Sequence, residues 1–219
     1  MLLCLQNVCS SGEVEQLRKL AAESAYADGR KTAGWAAREV KNNEQVEAGP
    51  RIDTIRSLVR KALLRNEIFT GFAQPKTITR MLVSRYGPGM EYGLHVDDAL
   101  MGGRRADLSF TLFLSEPESY EGGELVMDTT EGETGVKLKP GDAAVYATAA
   151  LHRVAPVISG ERLAVVGWVR SLVRRPDRRE ILFDLDRACR ALFEREGKTP
   201  ELDLLLKSKS NLLRQWAED

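Results

Sequence analysis

The chain holds two histidines, His95 and His152. The first lies in YGLHVDDALMGG, residues 92–103, two positions before Asp97. On an extended strand, residues i and i+2 project from the same face. An imidazole and a carboxylate therefore stand side by side. His152 opens the run HRVAPV. Two neutral imidazoles and one carboxylate on one face of a metal hold Fe(II) without saturating it, so oxygen and a second ligand can share the ion. A lone H-x-D is common and weak. The pair gains weight because it exhausts the histidine supply and falls at strand edges of one β-rich region. Arg162 adds a third element, opening the apolar run RLAVVGWV. Pointed inward, it needs a carboxylate partner, because an unpaired buried charge is too costly. A planar guanidinium matches a carboxylate bidentately. No acidic residue of the chain is an obvious fixed partner, which leaves a dicarboxylate ligand as the expectation.

The elements that must position these groups separate by periodicity. Residues 1–75 read as mostly helical. Ser10 and Glu13 form an S-x-x-E capping box, followed by Val14, Leu17, Leu20 and Ala21 at helical spacing. A second helix is expected from about Ile52 to Leu64, with Ile52, Ile55, Val59 and Leu63 on one stripe. Between them, DGRKTAGWAAREVKNNEQV has no clear period and reads as loops and short strands. Residues 76–173 break into short β-rich runs, among them KTITRMLVSRY, ADLSFTLFLS, GGELVMD and DAAVYAT. Gly and Pro punctuate them. Gly122 and Gly123 read as turn formers. Many short strands indicate a sandwich or barrel. The Cys–Trp–Cys pattern of an immunoglobulin sandwich is absent and polar side chains must face inward, so a jelly roll is expected. Residues 176–219 are helical again. Pro176 and Asp177 start one helix, with Ile181, Leu185, Ala188 and Leu192 as its apolar stripe and Gly197 as its stop. Thr199–Pro200 starts another, with Leu202, Leu205, Leu206, Leu212, Leu213 and Trp216 on its buried side.

Composition bounds the function. Lys plus Arg and Asp plus Glu are both 32, giving zero formal net charge. That argues against broad binding to nucleic acid or an anionic membrane. Three cysteines, Cys4, Cys9 and Cys189, show no CxxC pair and suggest reduced thiols in a cytoplasm. The N-terminal stretch lacks the basic region of a signal peptide. No run approaches the roughly 18 apolar residues of a membrane span. The arginines at 170, 174, 175, 178 and 179 read as a solvated hinge, with binding of an anionic partner as the alternative. Lys41, Asn42 and Asn43 are candidates for substrate contact, with capping and turn hydrogen bonds as an equal alternative.

The set His95-x-Asp97, His152 and Arg162 resembles the iron- and 2-oxoglutarate-binding set of the 2-oxoglutarate-dependent dioxygenases. RYGPGMEYGLHVDDA, YEGGEL, KPGDAAVY, LHRVAPV and ERLAVVGWVRS resemble the prolyl-hydroxylase-like branch. DGRKTAG, VKNN and the helical tail resemble the PKHD-type hydroxylases, so the likeness covers nearly the whole chain. Asp98 departs from it, standing where many relatives have Asn. The resemblance implies an α+β fold: a double-stranded β-helix (jelly-roll) core with N-terminal helices and a C-terminal helical extension. It divides the chain into a dioxygenase domain, 1–175 (helical 1–75, jelly roll 76–175), and an extension, 176–219. Carried over by position, His95, Asp97 and His152 bind Fe(II). Arg162 pairs with the distal carboxylate of 2-oxoglutarate, and Tyr86 donates to the same co-substrate. Tyr92 and Trp168 are weaker candidates for the pocket wall, since each can simply pack in the core. No catalytic acid or base beyond the iron ligands is required.

The implied reaction hydroxylates a small-molecule or peptidyl substrate and yields succinate and CO2, with L-ascorbate keeping the iron reduced. A cupin-like metal-binding protein, either an isomerase or a non-catalytic iron or oxygen sensor, remains the alternative. It would use the triad without 2-oxoglutarate and would not need Arg162. The leucine-rich tail is expected to pack on the N-terminal helical region or across a subunit boundary in a homo-oligomer.

Overall fold

The computed structural model describes residues 2–218. Its centre is a seven-stranded antiparallel sheet. In spatial order its strands are Leu2–Leu5, Ala143–Ala147, Leu108–Phe113, Arg162–Ser171, Pro75–Tyr86, Glu44–Val46 and Tyr26–Asp28. A smaller sheet faces it, in the order Gly132–Val136, Leu125–Thr129, His152–Val154, Glu91–His95 and Lys41–Asn42. The two layers form the jelly-roll core.

Period-2 alternation decides what each face of the large sheet carries. In LSFTLF, Leu108, Phe110 and Leu112 join the apolar cluster shared with the helices. Ser109 and Thr111 point the other way, toward the smaller sheet, and line a cleft between the layers. Leu163, Val165 and Val169 likewise face the helices, whereas Arg162, Val166 and Trp168 border the cleft.

Three helices cover the outer face of the large sheet: α1 (Ser11–Ala22), α2 (Pro50–Arg65) and α3 (Glu67–Ala73). The capping box forms as the sequence implies. Glu13 N donates to Ser10 Oγ at 3.3 Å and Ser10 N donates to Glu13 Oε2 at 2.9 Å. Glu13 also accepts from Arg65 of α2 at 2.6 Å, and this bond holds its carboxyl down to about 2. One carboxylate thus caps α1 and fastens it to α2. Ile52, Ile55, Val59 and Leu63 are all buried.

Two expectations need correction. Residues 1–75 are mostly helical, as expected, but they are not a part beside the β core, because they also supply strands to it. Leu2–Leu5, Tyr26–Asp28 and Glu44–Val46 belong to the large sheet, and Lys41–Asn42 to the small one. These strands are two to four residues long, too short to declare a period. The apolar stripe of α4 (Pro176–Glu196) is also shifted. Leu182, Phe183 and Cys189 are buried, Leu185 and Leu192 are half-buried, and Ile181 and Ala188 are exposed. Phe183 selects this rotation by setting its ring edge-on to Phe72 of α3, with centroids 5.4 Å apart.

The tail therefore packs on the N-terminal region. The helix α5 (Pro200–Trp216) lies along α4, with Leu202 buried and Leu205, Leu212, Leu213 and Trp216 half-buried. Leu206 is exposed. The Lys209 ammonium meets Asp186 between the two helices. The arginine-rich connection is fastened rather than loose. Arg179 is buried and donates to the carbonyls of Val173 and Arg174, each at 2.8 Å. Arg175 pairs with Asp177, and the Arg178 guanidinium stands over the Trp216 ring at 5.3 Å. Among the described residues no helix is long and apolar enough to cross a membrane.

The rotation of α4 is testable. Phe183→Ala is expected to cost about 3–5 kcal/mol of unfolding free energy, whereas Ile181→Ala changes it by about 0.5 kcal/mol or less. Urea denaturation measures both. Equal losses would place the stripe where Ile181 predicts it.

Candidate metal and co-substrate site

Strand register brings the two histidines together. His95 ends the strand Glu91–His95, His152 starts His152–Val154, and the two are direct partners across the antiparallel pair. Their ring centroids are 4.3 Å apart. Asp97 lies just beyond the strand end, not on the strand itself. The chain stays extended enough that its carboxylate faces both rings. Asp97 Oδ1 is 3.8 Å from His95 Nε2, and Oδ2 is 3.8 Å from His152 Nε2. The three candidate ligand atoms lie within 4.8 Å of one another.

Backbone carbonyls set the orientation of both rings. His95 Nδ1 is 2.8 Å from Gly93 O, and His152 Nδ1 is 3.0 Å from Ala150 O. A carbonyl can only accept, so each Nδ1 carries the proton and each Nε2 lone pair faces the centre. Burial, with the second imidazole beside it, lowers His95 to about 4. The ring is therefore neutral, as a metal ligand must be. Asp97 is oriented too, because Ser109 Oγ donates to its Oδ2 at 2.7 Å. Tyr92 stacks on His95 at 3.6 Å, and Tyr146 meets His152 edge-on at 5.0 Å.

Across the cleft stands Arg162. It opens the strand Arg162–Ser171 opposite Tyr86, the last residue of Pro75–Tyr86. Arg162 is 1% exposed, yet Nε, Nη1 and Nη2 have no hydrogen-bond partner. Its guanidinium lies 5.2 Å from the Tyr86 ring and 5.4 Å from the Phe113 ring. No carboxylate among the described residues pairs with it. Gly122 and Gly123, both at positive φ, bring the chain against this group. A Cβ at Gly123 would come within 3.2 Å of Arg162 Cδ, and one at Gly122 within 2.1 Å of Pro156 O. Burial raises the Tyr86 phenol, keeping it a neutral donor.

The cleft encloses about 730 Å³, including space open to solvent. His95, Asp97, His152, Arg162 and Tyr86 all line it, so every residue singled out for metal or co-substrate is brought to one site. Tyr92 and Trp168 also line it, and Trp168 packs on Leu82, Met101 and Ala106. Asp98 stands at its edge beside Gly34. Lys41 and Asn43 face the cleft. Asn42 does not, and instead donates to Gly89 O at 3.1 Å. Ser109, Thr111 and Tyr146 were not anticipated. Their signal is a polar residue at alternate positions of an apolar strand, legible in SFTLF once the strand's facing is known.

The donor set fits a divalent cation: two imidazoles with Nε2 turned toward the centre, one carboxylate and open space on the cleft side. The unpaired guanidinium fits a carboxylate. A jelly roll with these two subsites defines a metal-dependent oxygenase class, and the comparisons agree. Residues 81–170 match the family model of the 2OG-Fe(II) oxygenase superfamily, and residues 177–218 match the PKHD-type hydroxylase C-terminal domain. A PKHD-type hydroxylase of Maricaulis maris (strain MCS10) is 68% identical over 219 residues, covering 100% of both chains. Two crystal structures share the fold. A 2OG-Fe(II) oxygenase family oxidoreductase from Burkholderia pseudomallei has a TM-score of 0.59 at 20% identity, over 76% of this chain and 84% of that one. A Pseudomonas putida prolyl-4-hydroxylase has a TM-score of 0.53 at 22% identity, over 78% and 92%. The chain belongs to the PKHD-type hydroxylases and is a 2-oxoglutarate-dependent dioxygenase that uses Fe(II).

The depressed His95 value has a defined consequence. Between about pH 6.5 and about pH 4 the unfolded chain takes up a proton that folded His95 refuses. This contribution to stability is complete above about pH 6.5 and is lost as pH falls toward about 4. Thermal unfolding without added metal is expected to show that decline, and His95→Gln to flatten it. Superimposable pH profiles for the two proteins would contradict the neutral assignment.

Proposed function

We propose that His95, Asp97 and His152 bind the Fe(II), that Arg162 binds the distal carboxylate of 2-oxoglutarate, and that Tyr86 donates to the same co-substrate. The carrying observation is the buried Arg162 guanidinium without a partner, facing the same cleft as the three clustered metal-ligand atoms. When bound, the iron and co-substrate supply oxidative decarboxylation of 2-oxoglutarate to succinate and CO2, coupled to hydroxylation of a substrate. The protein's own part is placement. Gly93 O and Ala150 O hold the two imidazoles in the ligating tautomer. Ser109 holds the Asp97 carboxylate. Arg162 orients one end of the co-substrate, and the apolar walls around Leu82, Val166 and Trp168 limit water. No side chain is required as a general acid or base.

The substrate is a small molecule or a peptidyl group, hydroxylated at an unassigned position. L-Ascorbate maintains the reduced iron. The protein works in the cytoplasm without nucleic-acid or membrane partners. It forms a homo-oligomer through the C-terminal helices, where Leu204 and Phe193 are 61% and 56% exposed. The division into 1–175 and 176–219 belongs to the same reading. It draws support from helices that pack on the core through the Phe183–Phe72 contact and contribute nothing to the cleft.

The triad is tested through the metal and through turnover without substrate. His95→Ala and His152→Ala are each expected to abolish stoichiometric Fe(II) binding, and Asp97→Ala to weaken it severely. The parent protein with Fe(II) and oxygen should slowly convert 2-oxoglutarate to succinate, and the histidine variants should not. A folded histidine variant with full iron affinity would overturn the ligand assignment. Iron binding without any succinate would favour a cupin-like protein or a sensor.

A further inference from the structure

The triad and Arg162 leave one cation of the cleft without a task. Lys41 is 5% exposed, lines the cleft and forms no ion pair among the described residues. Its backbone pairs with Tyr92, and its ammonium stands 4.7 Å from the Tyr92 ring centre. That ring is stacked on His95. Lys41 Nζ therefore lies one aromatic ring away from a metal-binding imidazole. A chain of hydrogen bonds fixes it there. Nζ donates to Thr32 Oγ1 at 3.2 Å, Thr32 Oγ1 donates to Gln45 Oε1 at 2.6 Å, and Gln45 Nε2 donates to Ser84 Oγ at 3.4 Å. An ammonium carries three protons. Thr32 takes one, the Tyr92 face can accept another weakly, and at least one is left for the cleft. Asp97, Arg80 and Asp28 act on Lys41 from a distance, and burial lowers it to about 8. Beside it Asn43, 3% exposed, lines the same cleft next to the Tyr86 phenol and makes no well-formed hydrogen bond.

Two cations on two walls call for two anionic groups. Arg162 stands on the large sheet and Lys41 on the edge strand of the small one. The assignment of the distal carboxylate to Arg162 leaves Lys41 free. We propose that Lys41 anchors a carboxylate of the substrate and Asn43 an adjoining amide, so the substrate is an acyl-amide bearing a carboxylate. The inference rests on the reading of Arg162 and the triad given above. It extends that reading to the wall built by the N-terminal strands. Lys41 is a positioning and specificity residue, holding the substrate beside the metal.

The test uses full-length protein loaded with Mn(II) and saturated with 2-oxoglutarate. Titration of the co-substrate comes first. If the parent protein fails to bind it, the reading of the site fails as a whole, and this result is separate from those below. The probes are N-acetylalanine, its neutral amide, and a blocked peptide with one internal aspartate. Paramagnetic broadening of their proton signals reports binding near the metal. N-acetylalanine or the aspartate peptide is expected to broaden more than the neutral amide. Preference for the peptide would assign the carboxylate to a protein side chain, and preference for N-acetylalanine to a small acid. Lys41→Met should weaken the preferred probe roughly tenfold or more, as loss of one charge-assisted hydrogen bond implies. Lys41→Arg should retain most of the binding. Co-substrate affinity should change by no more than about twofold in either variant, which also shows that both are folded. Equal broadening by charged and neutral probes, or by none of them, would overturn the proposal. So would a Lys41→Met variant that loses affinity for 2-oxoglutarate instead.

Discussion

A buried cation without a partner is the constraint around which this molecule is arranged. The Arg162 guanidinium is shut away from water, and no hydrogen bond compensates for its lost hydration. Leaving a charge uncompensated in a protein interior costs several kcal/mol. The fold tolerates it because Arg162 opens the longest run shared by two central strands. Its register with Tyr86 continues through Leu163–Arg85 and Ala164–Ser84 to Val165–Val83, where the helix-side face of the sheet is apolar. Burial of Leu163, Val165 and Val169 against the helices offsets the cost. An arriving carboxylate recovers what folding left unmade, in a place where water competes poorly.

The second subsite obeys the same logic with opposite sign. Two imidazoles at adjacent cross-strand positions would repel each other if protonated. Burial and their mutual proximity keep His95 neutral, and carbonyl oxygens two residues back hold the remaining protons away from the centre. The small sheet thus presents lone pairs and a carboxylate beside the Lys41 ammonium, and the large sheet presents the Arg162 guanidinium. The cleft between them offers acceptor atoms on one wall and an unpaired donor fork on the other.

Much of the chemistry was legible in the chain because it rests on rare residue types. With two histidines, an H-x-D and an arginine opening an apolar strand, few alternatives compete. The helical stripe of α2 was legible because Ile52, Ile55, Val59 and Leu63 repeat without ambiguity. In α4 apolar residues occupy 181, 182, 183 and 185 together, so several rotations satisfy the sequence, and only the Phe183–Phe72 contact selects one. Strands of two to four residues near the N-terminus carry no usable period. Their pairing is fixed by partners far along the chain, as Leu2–Leu5 against Ala143–Ala147 shows. Ser109 and Tyr146 escaped notice for a related reason: a single polar or aromatic residue on a core strand gains meaning only once its facing is known.

The affinity of the iron-loaded protein for 2-oxoglutarate, compared with that of Arg162→Ala, bears most directly on the role of the buried cation. Calorimetry under anaerobic conditions measures it. Loss of roughly 2–5 kcal/mol of binding free energy is expected, the scale on which removing one partner of a desolvated charge pair is felt. Iron affinity should stay close to that of the parent protein, and Arg162→Lys should recover only part of the loss, since it lacks the bidentate fork. Unchanged affinity for 2-oxoglutarate in a folded Arg162→Ala protein would contradict the assignment.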